Sequence, residues 1–468
     1  MDLLYDLPID LQYIVANYNH TVFFALPISE LAKYDWFKLL RMNFSLSYSR
    51  ESFTNEEIMK VYLDNLIARK LKIICHGNFT IIKSPDGSLF SSGYDVDGQL
   101  GGTRSLKFEG VPGIPKNVFV AEVICGRTHT IIRLMDGTLM SSGNNVLGQL
   151  GHGDELNRVT FSIIKGVPNN IIQMACGLFH TIIRLTDGTL MSCGDNKYGQ
   201  LGLGDSKNRN IFNKITGIPK NTAEVMCGEY HTLIKFTDGT LMSCGYNRHG
   251  QLGLVNGRST ISFTKIPHIP TNIAKVICNT HHTIIQLTNG ILMACGNNRS
   301  GQLGFGCTLG KNSFSEIIGI PKNIAEVASG PNHTIIRLTD GKIFGTGYNR
   351  NGELCLADNM DRNEFTEITG IPANIAQIIC WSHGTIIRLT NGKIMAYGKH
   401  SLGKTIEISK DIADMTSYND RTIVSLTDGT LMSVGYNGYG ELGIGNSSLR
   451  TSHFAPIQGI PKINCMEW

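Results

Sequence analysis

Five histidines, His129, His180, His231, His282 and His333, stand 51 residues apart along this chain of 468 residues. Imidazoles in that number invite metal ligation or acid–base transfer. Cysteines add to the invitation: Cys125, Cys176, Cys227 and Cys278 keep the same interval, Cys75 and Cys380 hold equivalent places, and Cys193, Cys244 and Cys295 form a second series. The spacing argues against a shared site. Each histidine follows a Cys-Gly-type turn in its own copy of a repeat, no Cys-x-x-Cys pair offers zinc-type spacing, and one copy carries Arg421 in place of the histidine. The histidines are therefore expected to be structural, each bonding the local backbone of its own unit. The cysteines are expected to be small buried free thiols in a reducing compartment.

Cations recur as well. Lys83, Arg133, Arg184, Lys235, Arg337 and Arg388 would make a basic ring, but Asp86, Asp136, Asp187, Asp238 and Asp340 follow three residues on, and Gln286 with Asn289 is neutral at both places. Local pairs across a turn would cancel the field beyond a Debye length of ~8 Å, so strong DNA binding is not expected. A third series, Arg158, Arg209, Lys311, Arg362 and Arg450, falls in polar loops of varied sequence. Two readings stay open there: contact with a partner, or a tie to the loop's own upstream acid, such as Asp154 or Asp205. No P-loop, nucleophile elbow or isolated carboxylate pair is present, so neither a catalytic constellation nor a metal or other cofactor is expected.

These positions are held by one recurring stretch, typified by HTIIRLTDGTLMSCGDNKYGQLGLG from His180 to Gly204. Its GQLG glycine returns as Gly98, Gly148, Gly199, Gly250, Gly301 and Gly352, in degraded form at Gly403, and cleanly at Gly440, in steps of 50, then five of 51 (the last to Gly403), then 37. Asp-Gly or Asn-Gly dipeptides from Asp86-Gly87 to Asp428-Gly429 keep the register, and such a dipeptide between short Ile-, Val- and Thr-rich runs is a strong hairpin signal. Each unit reads as four strands: 171–176, 180–185, 189–193 and 212–215 in the third. A sheet of that size cannot cover both faces alone, so eight units are expected to stack radially as blades of an all-β propeller.

The strings CGLFHTIIRLTDGTLMSCGDNKYGQLGLGD and SSGNNVLGQLGHGDELNRVT resemble repeats of the RCC1 family, whose fold is a β-propeller. The resemblance covers residues 71–468. It implies seven blades, the family norm, against the eight units counted here. The last residues, GIPKINCMEW, begin a further copy of the first strand, so Ile463 to Cys465 is expected to help close the ring by pairing the chain's two ends.

Residues 1–70 do not repeat and have helical periodicity. Leu7, Leu11, Ile14 and Val15 lie on one helical face with Pro8 in the first turn, Ser29 precedes Ala32, Trp36, Leu39 and Leu40, and Thr54 with Glu57 fits a capping box before Ile58, Val61 and Tyr62. A small α-helical domain is expected. Leu7, Pro8, Leu11 and Ile14, with Leu31 to Leu40 around Trp36, resemble an F-box, which docks substrate adaptors on a ubiquitin-ligase scaffold; a plain helical cap on the propeller is the other reading.

The composition, 42 basic and 38 acidic residues for a net charge of +4, predicts no nucleic-acid binding. No apolar run approaches membrane-spanning length and no basic n-region opens the chain, so an intracellular protein, cytoplasmic or nuclear, monomeric and away from membranes, is expected. The leading function is a non-enzymatic protein-interaction scaffold, an adaptor whose loop face takes a protein partner while the N-terminal domain recruits a Skp1-like scaffold. The alternative is guanine-nucleotide exchange on a Ran-like small GTPase, or chromatin association, as the family resemblance implies. Exchange in that family uses a wedge-like insertion for which a spacing of 50 to 51 residues leaves no room. A light-sensing plant branch uses clustered tryptophans, whereas Trp36, Trp381 and Trp468 are the only three here. Direct ubiquitin ligation would need an appended catalytic domain, and the chain ends with its last repeat.

Overall fold

The computed structural model describes residues 70–461 apart from 103, 116–117, 400–404, 409–411 and 419, with 405–407 in backbone only, together with 31, 33–39, 54–55 and 58–59. Among these residues, 32 strands form eight antiparallel four-stranded sheets, each drawn from one contiguous stretch of chain. The blade count is therefore eight, as the repeat register predicts and the family norm does not.

The third blade shows how one unit folds. Ile171–Cys176, His180–Leu185, Leu190–Gly194 and Arg209–Lys214 pair in that order from first to fourth strand, with Ile183 opposite both Met174 and Met191. The hairpin between the second and third strands turns at Gly188, whose φ of 78° suits a residue without Cβ, while the Asp187 carboxylate accepts the Thr189 amide at 2.9 Å. His180–Leu185 is buried along almost its whole length because a neighbouring blade covers each face of the sheet, which explains its nearly unbroken apolar run.

Hydrophobic clusters fill the seams between blades. Ile131 and Leu139 of the second blade pack with Met174, Ile183 and Phe212 of the third, and similar clusters occupy every later seam. Another lies between the first and second blades. The eighth seam joins Ile82 and Phe108 of the first blade to Leu431 of the last. Eight seams for eight blades make a closed ring. The seventh blade is the shortened one, ending in the three-residue strand Thr405–Glu407, and the first ends in the two-residue strand Glu109–Gly110.

The innermost place in the first blade is filled by Lys72–His76, and Ile463 to Cys465 lies outside the described residues. Among the described residues, side chains cross the closing seam: Thr80 donates to the Glu441 carbonyl at 2.9 Å, Ser92 to that of Gly440 at 2.6 Å, and the His76 and Tyr418 rings stack at 4.8 Å. Backbone bonds join in: the Gly445 amide donates to the Leu106 carbonyl and the Phe108 amide to that of Gln458, both at 2.9 Å, with Lys107 and Ile444 bridged.

In the N-terminal segment, 36–39 is helical, Trp36, Leu39 and Ile58 are buried, and Asn55 joins the two described pieces by accepting from the Trp36 amide at 3.0 Å and donating to the Tyr34 carbonyl at 2.7 Å. Leu7, Pro8, Leu11 and Ile14 lie outside the described residues. No helix among the described residues is long and apolar enough to cross a membrane.

Candidate functional site

Strand connectivity sorts the connections onto two faces. The hairpins carrying Asp-Gly or Asn-Gly and the links between blades lie on one; the turns ahead of each histidine and the long GQLG loops lie on the other, the loop face.

The histidines serve the seams. His180 Nε2 lies 3.1 Å from Thr232 Oγ1 of the next blade, His129 3.3 Å from Thr181, and His333 2.9 Å from Thr385, while His282 meets Ser329 Oγ at 2.9 Å and His231 meets Cys278 Sγ at 3.2 Å. Thr232 spends its one hydroxyl proton on the Gln200 carbonyl at 2.8 Å, so its oxygen must accept from His180 Nε2–H. That fixes the neutral tautomer and leaves Nδ1 a buried acceptor without a hydrogen bond. Burial pushes His129, His180, His231 and His282 down to about 3, and His333 to about 4. The expected bond to each unit's own backbone is therefore corrected: these histidines are structural, but they tie one blade to the next.

Arg421 makes the same substitution of reach on a larger scale. Its guanidinium donates to the carbonyls of His76, Gly77 and Phe79 at 3.0, 3.0 and 2.8 Å, and stands 3.7 Å from Glu441, with both side chains buried. It thus clasps the last blade to the first. A cavity of about 270 Å³ opens beside it on the loop face, lined by His383, Tyr418, Asp420 and Tyr436.

The side chains of the register expected to pair with the hairpin aspartates, neutral Gln286 included, also point elsewhere. Lys235, Gln286 and Arg388 donate to the first-strand carbonyls of Ile273, Ile324 and Ile412 in the following blade, Arg184 to that of Thr222, and Arg133 and Arg337 pair with Glu122 and Glu326 at 3.4 and 3.0 Å. Asp136, Asp187, Asp238 and Asp340 each accept the amide two residues on. A short carboxylate at a turn caps its own backbone, whereas the long central-strand side chains reach a first strand, that of the next blade for Arg184, Lys235 and Arg388 and that of their own blade for Arg133 and Arg337.

The third series sits at the head of the fourth strand, as in Arg158–Ile163 and Arg209–Lys214. Arg158, Arg209 and Arg362 pair with Asp154, Asp205 and Asp358, each at 2.6 Å, and each also donates to a loop carbonyl at 2.7 Å. Lys311 lies over the Phe305 ring at 5.7 Å, and Arg450 stands 3.6 Å from Asp420. The carbonyls of Arg158, Arg209, Lys311 and Arg362 press on the GQLG glycine of the blade before: a Cβ on Gly148, with φ 78°, would come 2.6 Å from the Arg209 oxygen. The repeated glycine is therefore a point of blade-to-blade approach.

The long loops are rigid. In the third blade the buried Asn196 accepts the Leu201 amide at 3.0 Å and donates to the Asp205 carbonyl at 2.8 Å, and Gln200 accepts the Tyr198 amide at 2.9 Å. Between them these loops and the neighbouring turns display half-buried rings. Tyr198 meets Tyr246 at 4.8 Å and Tyr230 at 5.8 Å, Tyr246 meets His249 at 5.9 Å, and His249 meets His281 at 4.7 Å. The cluster crosses the third, fourth and fifth blades. Sequence reasoning missed it because its members come from two different connections of each unit. Among the described residues no group of three or more His, Cys, Asp or Glu side chains is placed to hold a metal ion, and the described cysteines are free thiols.

Comparison with known proteins agrees with this architecture. Two profiles of the regulator of chromosome condensation (RCC1) repeat match, one over residues 136–183 and 187–234, the other over 171–200, 224–251 and 324–353. The ultraviolet-B receptor UVR8 of Arabidopsis thaliana is 29% identical over 265 residues, 54% of this chain and 59% of that protein. The probable E3 ubiquitin-protein ligase HERC4 of Homo sapiens is 34% identical over 308 residues, 63% of this chain and 29% of that protein. The chain thus spans less than two thirds of either relative. Among solved structures, human WBSCR16 aligns with a TM-score of 0.55 at 20% identity over 68% of this chain and 87% of its own. Prp20p of Saccharomyces cerevisiae, described with its binding to Gsp1p and histones, aligns at 0.54 and 19% over 70% and 83%. At such identities the likeness is one of fold.

Proposed function

We propose, from a chain that carries RCC1 repeats folded as an eight-bladed propeller, that the protein is a non-enzymatic interaction scaffold whose loop face captures a partner protein. One observation carries the reading: the cluster of Tyr198, Tyr230, Tyr246, His249 and His281 presents a broad aromatic surface on loops whose backbone is already fixed. Rings with an apolar body and a polar tip are enriched at the centres of protein interfaces, and rigid loops lose little entropy on binding. Arg158, Arg209, Lys311, Arg362 and Arg450 enter as supports of those loops at the margin of the contact surface. Tyr230→Ala with Tyr246→Ala should weaken capture of partners from native cells about tenfold or more, while Tyr230→Phe with Tyr246→Phe captures normally. Equal capture by both doubles, at equal thermal stability, would overturn the reading.

The finer division of labour gives recruitment to residues 1–70 and target choice to the propeller. Leu7→Ala with Leu11→Ala should abolish binding to a purified Skp1-like scaffold, since an interface anchor is worth ~2 kcal/mol or more, and should leave propeller melting unchanged. Absent binding by the unaltered protein would retire the adaptor; lowered melting in the double variant would assign those leucines to packing on the propeller. Nucleotide exchange has less support, because the repeat spacing leaves no room for a wedge, and chromatin association has less because net charge is only +4.

A further inference from the structure

A fourth cation series runs along the loop face. Lys197, Arg248, Arg299 and Arg350 follow the buried asparagines Asn196, Asn247, Asn298 and Asn349 at one position of four consecutive loops, and all four cations are exposed. The same position holds Val96 and Val146 in the first two blades, both 60% exposed, and Gly438 in the last. This series therefore forms an arc over the third to sixth blades and ends at neutral positions in the second and eighth.

The arc is preorganised. Each cation sits between an asparagine that accepts a loop amide, as Asn247 does from Leu252 at 2.9 Å and Asn298 from Leu303 at 2.8 Å, and a side chain three residues on that accepts another, as Gln251 does from His249 at 3.1 Å. Lys197 and Arg350 also rest on the rings of Tyr198 and Tyr348 at 5.6 and 5.9 Å. Acids on this side are engaged internally: Asp195 with Gln200 at 2.8 Å, Glu229 with Thr280 at 3.1 Å, and Asp361 with the Asn349 amide at 2.8 Å and with Arg350 at 3.3 Å. His249 and His281, held below their ordinary values chiefly by burial, add apolar ring surface and no charge near neutrality.

We infer that the third to sixth blades of the loop face bind an extended acidic segment of a partner protein, its carboxylates meeting Lys197, Arg248, Arg299 and Arg350 while its apolar side chains cover the tyrosine and histidine rings. The inference rests on the interaction reading above and names the partner's chemistry. Guanidinium groups take carboxylates in two-point contacts, and an arc stepping from blade to blade suits a chain that steps along with it. A single-stranded nucleic acid would also seek cations and rings. It would need ring faces open to stacked bases, whereas Tyr198, Tyr230 and Tyr246 pack edge to face with one another at 61 to 83°.

Fluorescence anisotropy of the full chain with a labelled octaglutamate peptide tests it. Binding should saturate, weaken with salt, and fall about tenfold or more in Arg248→Ala with Arg299→Ala, and octaglutamine should not bind. Lys220→Ala with Lys322→Ala removes the same charge from the opposite face and should change affinity by less than about threefold. Equal losses in the two doubles would mean unspecific attraction, and a thymidine oligonucleotide of similar length bound more tightly at the same arginines would mean a phosphate site; either overturns the inference. So does absence of saturable peptide binding. If that absence comes with capture that still depends on Tyr230 and Tyr246, the interaction reading survives and only the acidic partner falls.

Discussion

Lowering the pH from 7 to 5.5 should destabilise the propeller by about 6 kcal/mol through five histidines alone, each contributing roughly 1.3 kcal/mol because it protonates near 6.5 when unfolded and far lower when folded. The cause is the seam geometry. Nε2–H of His180 donates to Thr232 while Nδ1 is sealed from solvent, so a second proton would have to enter a site with no acceptor. Burial holds four of the five at about 3 and His333 at about 4. The sign follows from proton counting: between those values and 6.5 the unfolded chain binds more protons, so stability is present above 6.5 and is lost as pH falls. A loss of that size is comparable to the whole stability of many domains. Denaturant unfolding measured from pH 7.5 to 5 should show a slope approaching five protons, reduced by about one in His180→Gln. A flat profile over that range would show that the histidines are not sealed.

Replacing Arg421 by alanine should cost about 3–5 kcal/mol, the usual result of removing one partner of a buried pair. Three carbonyls of the first blade lose their donor at once, and Glu441, already raised in pKa by burial, loses its neighbouring positive charge. Because protonated Glu441 needs no counter-ion, the deficit should shrink as pH drops towards the carboxyl range, and Glu441→Gln should recover part of it at neutral pH. Chemical denaturation of the single and double variants measures this. A single variant within about 1 kcal/mol of the parent would show that the ring is closed by its hydrophobic seam alone.

Glutamine is what the first five blades suggest at that place. Gln99, Gln149, Gln200, Gln251 and Gln302 occupy it there, Glu353 takes it in the sixth blade, which keeps His333, and Glu441 takes it in the eighth, the unit that changes histidine to Arg421. Arg421 together with Glu441 was legible in the sequence as two opposite charges in one unit, but not as a contact with the first blade. The rest of the fold was legible because it is local: period, Asp-Gly turns and short β-branched runs specify strands, blades and their number. Partners across seams were not. A periodic sequence shows that His180 and His231 are equivalent, yet equivalence is the same whether each bonds within its blade or to the next. Arg184 and Asp187 likewise look paired by spacing, but the pleat sends one to the seam and the turn keeps the other. Lys197, Arg248, Arg299 and Arg350 could have been found by the register count that found the other cations, since they too stand 51 residues apart.

The closing seam also sets a schedule for biogenesis. Arg421 reaches back 345 residues to His76, and the core shared by Ile82, Phe108 and Leu431 is assembled from opposite ends of the chain. Every other seam can be covered as soon as the following unit emerges from the ribosome. The outer flank of the first blade must instead wait for the last, which at 5–20 residues per second is roughly 20 to 70 seconds of translation. For that interval the nascent chain carries an uncovered apolar sheet surface, which makes its first unit the place where a chaperone would be needed and where truncated products would aggregate.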